Sequence, residues 1–159
     1  GRFFRDFADK CHHGKEEDRL FVKMVAAGFP RESGPIGVML AEHDAGRQEV
    51  RGLLAIGAGS GPLTEQEKAR AMDYAGRFVP LLYAHIQKED NILYPMSERV
   101  LTSAEFETML ADFAAFEKNA GASGTLERLE ALAERLVGAF RPDEARMAAG
   151  AAGGCWSRG

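Results

Sequence analysis

His12-His13-Gly14-Lys15-Glu16-Glu17-Asp18-Arg19-Leu20-Phe21 and His85-Ile86-Gln87-Lys88-Glu89-Asp90-Asn91-Ile92-Leu93-Tyr94 can be laid over one another without a gap. In that register His12 falls on His85, Lys15 on Lys88, Glu16 on Glu89 and Leu20 on Leu93. A His and a Glu four residues apart lie about 40° apart around a helix and about one turn apart along it, so each copy presents imidazole and carboxylate on one face. Phe78, Leu81, Leu82, Ile92 and Met96 share the face of the second copy, which marks it as the buried side. An ionised carboxylate without partners costs on the order of several kcal/mol to bury, so something must compensate the pair.

Working outward from these stretches, apolar residues recur at intervals of three and four nearly everywhere, and no run alternates as a half-buried strand would. The fold class is therefore all-α. A first helix is expected from about Phe3 to Ala26, stopped by Ala27-Gly28-Phe29-Pro30, and a second from about Ile36 to Ile56 before Gly57. Thr64 and Glu67 match a capping box that opens a third helix, about Glu65 to Leu93. Pro80 removes one of its backbone donors and bends it, and Pro95 closes or kinks it. A fourth helix starts at Ser103-Ala104-Glu105-Phe106 and ends near Gly121, and a fifth covers about Leu126 to Phe140. These helices are assigned to one domain, residues 1–143, and the Ala- and Gly-rich residues 144–159 to a flexible tail that leaves Trp156 outside the core.

Composition narrows the function classes. The formal net charge of -4 shows no basic surplus, so no nucleic-acid partner is expected. Cys11 and Cys155 make neither a disulfide framework nor a Cys-x-x-Cys zinc site. No apolar run approaches the roughly 20 residues of a membrane span, so no membrane partner is expected either. The first residues carry no signal-peptide pattern, although the chain opens on Gly1 rather than Met. A cytoplasmic location is the expectation.

Two His-x-x-x-Glu devices on separate helices suit a dinuclear carboxylate site, because each Glu can bridge two metals while each His holds one. His43 shares a stripe with Ile36, Met39, Leu40, Val50 and Leu54, which aims a third imidazole inward. Taken singly, His43 reads as a hydrogen-bonded core residue and Glu16-Glu17-Asp18 as a solvated acidic face; the duplication turns the balance toward metal. In the first helix the overlay selects His12 with Glu16, while a helical wheel leans to His13 with Glu17, and the second pair stays open. The candidate ligands are His12, Glu16, His43, His85 and Glu89.

At Cys11 to Phe21, at Ala41-Glu42-His43-Asp44 and at His85 to Asp90 through Leu93-Tyr94-Pro95, the chain resembles the hemerythrin-like, or HHE cation-binding, family. The resemblance covers residue 3 to about 140. It implies an up-and-down four-helix bundle, here with additional C-terminal helices, around a non-haem di-iron centre. It also implies that His12, Glu16, His43, His85 and Glu89 match the family's iron ligands. Members of the family bind or sense oxygen, handle nitric oxide or peroxide, or store and report iron. Two features depart from the pattern. Val22 stands where the family has proline, and no helix carrying the family's first histidine precedes His12. The second departure implies fewer protein ligands than usual and an apolar groove in the bundle. Either the helices near 103–119 and 126–140 rearrange to fill it, or the chain self-associates into a homo-oligomer.

Nitrogen and carboxylate oxygen suit iron, and nothing in the sequence pairs a general acid with a base for turnover of an organic substrate. Binding, sensing or storage is therefore expected rather than catalysis, with dioxygen or nitric oxide as the small ligand. Two rivals remain. His43-Asp44 resembles the His-Asp pair of HD-type metal-dependent phosphohydrolases, but adjacent helical residues point about 100° apart. A metal-free helical interaction module is the other.

Overall fold

Thr64 accepts a hydrogen bond from the Glu67 backbone N–H through its hydroxyl at 3.2 Å, and the Glu67 carboxylate accepts one from the Thr64 N–H at 2.8 Å. This reciprocal cap satisfies two of the donors a helix start leaves over. It opens one of five helical rods found in the computed structural model, which describes residues 3–120 and 125–141. The tail expected at 144–159 lies outside the described residues, with Trp156. The protein is all-α, and no strand occurs among the described residues.

Helix α1 (residues 4–26) is built of wide, π-type turns at Phe4–His13 and Glu16–Leu20 followed by regular α-helix at Phe21–Ala26. It ends where Gly28 takes a φ of 101°. That left-handed turn lets the Phe29 N–H reach the Met24 carbonyl at 3.1 Å. Helix α2 is Gly34–Ile56, with Pro35 in its first turn, where a missing N–H costs nothing. Helix α3 (residues 65–100) joins regular helix at Glu65–Lys88, a wide turn at Glu89–Leu93 and regular helix again at Tyr94–Val100. It therefore runs past the end expected at Leu93. Pro95 falls in the first turn of the resumed α segment, a position that tolerates it.

Helix α4 (Ser103–Ala120) opens on a second capping box, in which the Glu105 carboxylate accepts from the Thr102 N–H at 2.7 Å and the Glu105 N–H donates to the Thr102 hydroxyl at 3.3 Å. Helix α5 is Thr125–Ala139; it buries Leu129 and leaves Leu136, Val137 and the following Phe140 exposed.

Helices α2 and α3 pack most extensively, α1 lies against α2, and α4 packs on the wide turn at Glu16–Leu20. Close approach of α2 and α3 depends on Gly52, where an added Cβ would overlap the Tyr74 ring. The core gathers Leu20, Phe21 and Met24 of α1, Ile36 and Met39 of α2, Leu93 of α3, and Leu101 and Met109, with Phe106 and Phe113 of α4 packed against it. On α1, α2 and α3 these apolar groups come from the end of α1, the start of α2 and the end of α3. The histidines sit at the edge of that core, on α1, α2 and α3. None of the described helices is long and apolar enough to cross a membrane.

Candidate metal centre

Both copies of the duplicated motif widen at the same place. The π-type turns Glu16–Leu20 and Glu89–Leu93 begin on equivalent glutamates and end on equivalent leucines, and all four of these residues are buried. Wide turns are frequent at functional sites, because they re-aim side chains that a regular helix would direct elsewhere. In α1 the effect is plain. A regular helical wheel forces a choice between His12 with Glu16 and His13 with Glu17, whereas the widened helix turns all four toward the interior to some degree.

His85 Nε2 lies 3.0 Å from Glu89 Oε1 and 3.1 Å from His43 Nε2. His43 Nε2 lies 3.3 Å from Glu16 Oε2. His12 Nε2 reaches Glu89 Oε1 at 3.3 Å and Glu16 Oε2 at 3.8 Å, from a side chain that is 38% exposed. Ligand atoms of Glu16, His43, His85 and Glu89 all lie within 4.8 Å of one another, and so do those of His13, His43 and His85. His13 stacks on His43 with ring centroids 3.8 Å apart.

An outer layer of carboxylates holds the rings. His43 Nδ1 is 2.6 Å from Glu17 Oε1, and His85 Nδ1 is 2.9 Å from Glu42 Oε2. Those carboxylates are themselves held, Glu17 by Arg47 at 2.6 Å and Glu42 by Lys88 at 2.9 Å. Arg47 also spans Asp9 at 2.6 Å and Asp44 at 3.0 Å. The Tyr94 hydroxyl donates to Glu16 Oε1 at 2.8 Å.

This wiring fixes the polarity of the cluster. A carboxylate at Nδ1 favours a proton on that nitrogen, and Nε2 of His43 and of His85 then face each other and two more carboxylates, placed to act as ligands once a cation displaces any proton they carry. Glu16 Oε2 is buried and has no hydrogen-bond donor. A proton would satisfy two of these acceptors at a time, whereas a bound metal cation satisfies all of them together. The donor set, imidazole nitrogen with carboxylate oxygen, fits iron.

The electrostatics follow. Burial pushes the Glu89 carboxyl up, but contacts with His12 and His85 outweigh burial and hold it well below the usual carboxylate range. The hydrogen bond with Glu89 raises His12 against the opposing effect of burial. Burial lowers His85, and Glu89 and Glu42 together more than reverse that. His13 is driven down to about 2 by burial and by the neighbouring His43, His12 and His85, so its ring is neutral. Tyr94 is pushed up by burial and by Glu16, which keeps its proton on the hydroxyl as a donor.

All five candidate ligands therefore meet at one place, His12 from the more exposed side. Glu17, left open as an inner residue, faces the outer nitrogen of His43 instead. Asp44 turns outward, 72% exposed and paired with Arg47, so it does not join His43 as an HD-type pair would require. Glu42 and Tyr94 stand in the motifs that carry the resemblance and Arg47 does not, and none of the three was assigned a role from the sequence. For Tyr94 a signal existed: it is the position at which the overlaid copies differ by one hydroxyl, against Phe21. On its His13 side the cluster borders a cavity of about 290 Å³.

A family model described as the hemerythrin HHE cation-binding domain matches residues 1–97. The chain is 32% identical over 94 residues to the iron-sulfur cluster repair protein YtfE of Musicola paradisiaca (strain Ech703), an alignment that covers 57% of this chain and 42% of that protein. The chain thus spans less than half the length of this relative. No solved structure gives a significant match.

Proposed function

The chain belongs to the hemerythrin HHE cation-binding family, and from that premise we propose that it is a non-haem di-iron protein of the cytoplasm that binds or senses dioxygen or nitric oxide, or handles iron. His12, Glu16, His43, His85 and Glu89 are the residues assigned to the metal. The observation that carries this reading is the convergence of four buried acceptors from three helices, with Glu16 Oε2 lacking any donor.

Each residue has a distinct task. Glu89 lies between His12 and His85, and Glu16 between His12 and His43, so these two carboxylates would hold the metal together with the three imidazoles. Glu17 and Glu42 keep the protons of His43 and His85 on the outer nitrogens, so the inner nitrogens stay free to ligate. Tyr94 fixes one oxygen of Glu16 and leaves the other for the metal. Leu20, Phe21 and Leu93, all but fully buried, exclude water on the core side. Iron, when bound, supplies the ferrous–ferric couple and an open coordination position for a diatomic ligand. Similarity to a protein named for iron-sulfur cluster repair favours the iron-handling form of the reading.

Anaerobic titration with ferrous iron tests it. About two irons per chain are expected by elemental analysis, with a rise in melting temperature as metal binds the folded state. A chain that neither retains iron nor gains thermal stability from it would be a metal-free helical module instead.

A further inference from the structure

His13 stacks on His43 with ring centroids 3.8 Å apart and stands edge-on to His85 at 5.8 Å, yet it lies outside the ligand set of the proposed centre. We propose that His13 is a further metal ligand, and that with His43 and His85 it forms a three-imidazole corner holding one divalent transition-metal ion on the side of the centre that faces the cavity. The inference rests on the reading that the cluster binds metal, and it adds a ligand to that centre rather than a second centre.

Position argues first. One ring nitrogen from each of His13, His43 and His85 lies within 4.8 Å of the other two, and all three residues border the cavity. Nitrogens bound to one ion at about 2.0–2.1 Å stand roughly 3–3.5 Å apart, and His43 Nε2 and His85 Nε2 are already at 3.1 Å. His12, the neighbour of His13 in sequence, meets Glu89 and Glu16 instead. Two adjacent imidazoles of α1 thus serve different sides of the cluster.

The outer arrangement argues next, because all three rings share it. His43 Nδ1 faces Glu17, His85 Nδ1 faces Glu42, and His13 Nδ1 faces Asp9 at 3.7 Å. Arg47 reaches Asp9 and Glu17 at 2.6 Å each, so one guanidinium braces the carboxylates behind two of the three rings. A carboxylate behind the outer nitrogen is the usual setting of a metal-bound histidine. At 3.7 Å the Asp9 contact is too long for a hydrogen bond, and His13 Nδ1 is buried with no hydrogen-bond partner. A histidine kept in a core for structure alone normally bonds through that nitrogen. With Nδ1 enclosed, Nε2 is the nitrogen left to the ion.

One adjustment is required. The lone pair of an imidazole nitrogen lies in the ring plane, and the rings of His13 and His43 are 11° from parallel. To meet at one ion, the His13 ring turns out of its stack, a side-chain rotation that breaks no hydrogen bond at Nδ1 and has the cavity beside it. Glu16 and Glu89, 3.3 Å and 3.0 Å from the inner nitrogens of His43 and His85, border the ion from the opposite side. Imidazole suits zinc, cobalt, copper and ferrous iron alike, so the site can be probed with an ion chosen for its spectrum.

The test uses the full chain, stripped of metal by a chelator and titrated with cobalt(II), whose visible bands report its ligands. Wild type should bind cobalt saturably. His13→Phe retains a ring to stack on His43 and removes both nitrogens. It should shift the bands and weaken cobalt at least about tenfold, the loss that even an outer support commonly causes. His13→Ala should do the same. Unchanged bands and affinity in His13→Phe, with or without a loss in His13→Ala, overturn the proposal, since the ring then serves only as a stacking surface. Should the variants fail to fold, nitrogen NMR of the wild-type imidazoles during a zinc titration serves instead. The first equivalent should shift a ring nitrogen of His13 together with those of His43 and His85, and a His13 that stays put while the other two move overturns the proposal as well. Wild type that binds neither cobalt nor zinc brings down the metal-binding reading itself, and this inference with it; binding that ignores His13 brings down this inference alone.

Discussion

The two halves of the duplicated motif share a spacing and differ in how firmly they are held. In the α3 copy, His85 is 5% exposed and sits on regular helix, with its outer nitrogen tied to Glu42 and its inner nitrogen against Glu89 and His43. In the α1 copy, His12 is 38% exposed on a long run of wide turns and meets Glu89 and Glu16 through Nε2. His-x-x-x-Glu thus fixes a face, but partners on neighbouring helices fix the ring. One half is held by partners on two neighbouring helices, and the other is the more exposed.

The sharpest way to break that contrast is to remove each histidine in turn. His85→Ala should abolish stoichiometric iron binding in a calorimetric titration, because it deletes a ligand and leaves Glu89 and His43 facing an empty space. On the proposed di-iron reading, His12→Ala should weaken binding and preferentially lose one iron, leaving a second in place. Equal losses would mean that exposure and outer support do not distinguish the halves.

Next in size are the outer carboxylates. Glu42→Gln retains shape but offers an amide where His85 Nδ1–H needs an anion, and loss of such support typically costs about 10–100-fold in metal affinity. Glu17→Gln should act similarly through His43, with an added loss because Arg47 is left facing one fewer carboxylate. If neither variant shifts the affinity for ferrous iron, the outer layer is structural only.

Tyr94→Phe makes the two copies alike at their last position. It strips Glu16 Oε1 of its donor, and an unsatisfied buried acceptor costs on the order of 1–3 kcal/mol. The penalty should appear in denaturant melts of the metal-free chain and shrink once iron neutralises Glu16. A variant as stable as the parent in both states would remove Tyr94 from the site.

Much of this was legible beforehand, for local reasons. Caps and periodicity are short-range, so the ends of α1 at Ala26 and α2 at Ile56, the Thr64 box and the start at Ser103 could all be read from the chain. The wide turns could not, because a reading by periodicity assumes one regular turn length throughout each helix. For the same reason α3 was expected to stop near Leu93: Pro95 looks like a breaker until a wide turn restarts the helix just before it. Grouping of the inner residues followed from spacing and stripe, whereas the links of Glu42 to His85, Glu17 to His43 and Tyr94 to Glu16 cross between helices. No helical spacing encodes such pairings.

The smallest expected effect separates rigidity of the α3 copy from stability of the rod that carries it. Thr64→Ala removes the hydroxyl that accepts from the Glu67 N–H, and a lost N-cap should lower the melting temperature by a few degrees. Iron affinity should stay unchanged, since Glu42, Glu89 and His43 rather than the distant cap hold His85. Acid sharpens the comparison. Hydrogen bonds from the Thr64 backbone and hydroxyl hold the exposed Glu67 carboxyl below its ordinary value of 4.5. A lowered folded-state value means that this contribution is full above 4.5 and is lost as pH falls through the depressed value. The melting difference between parent and Thr64→Ala should therefore be constant from neutral pH to about 5 and narrow below it. If iron affinity instead tracked the cap, the firmness of the α3 half would come from the whole rod, and the contrast with α1 would have to be credited to helix regularity rather than to the partners of His85.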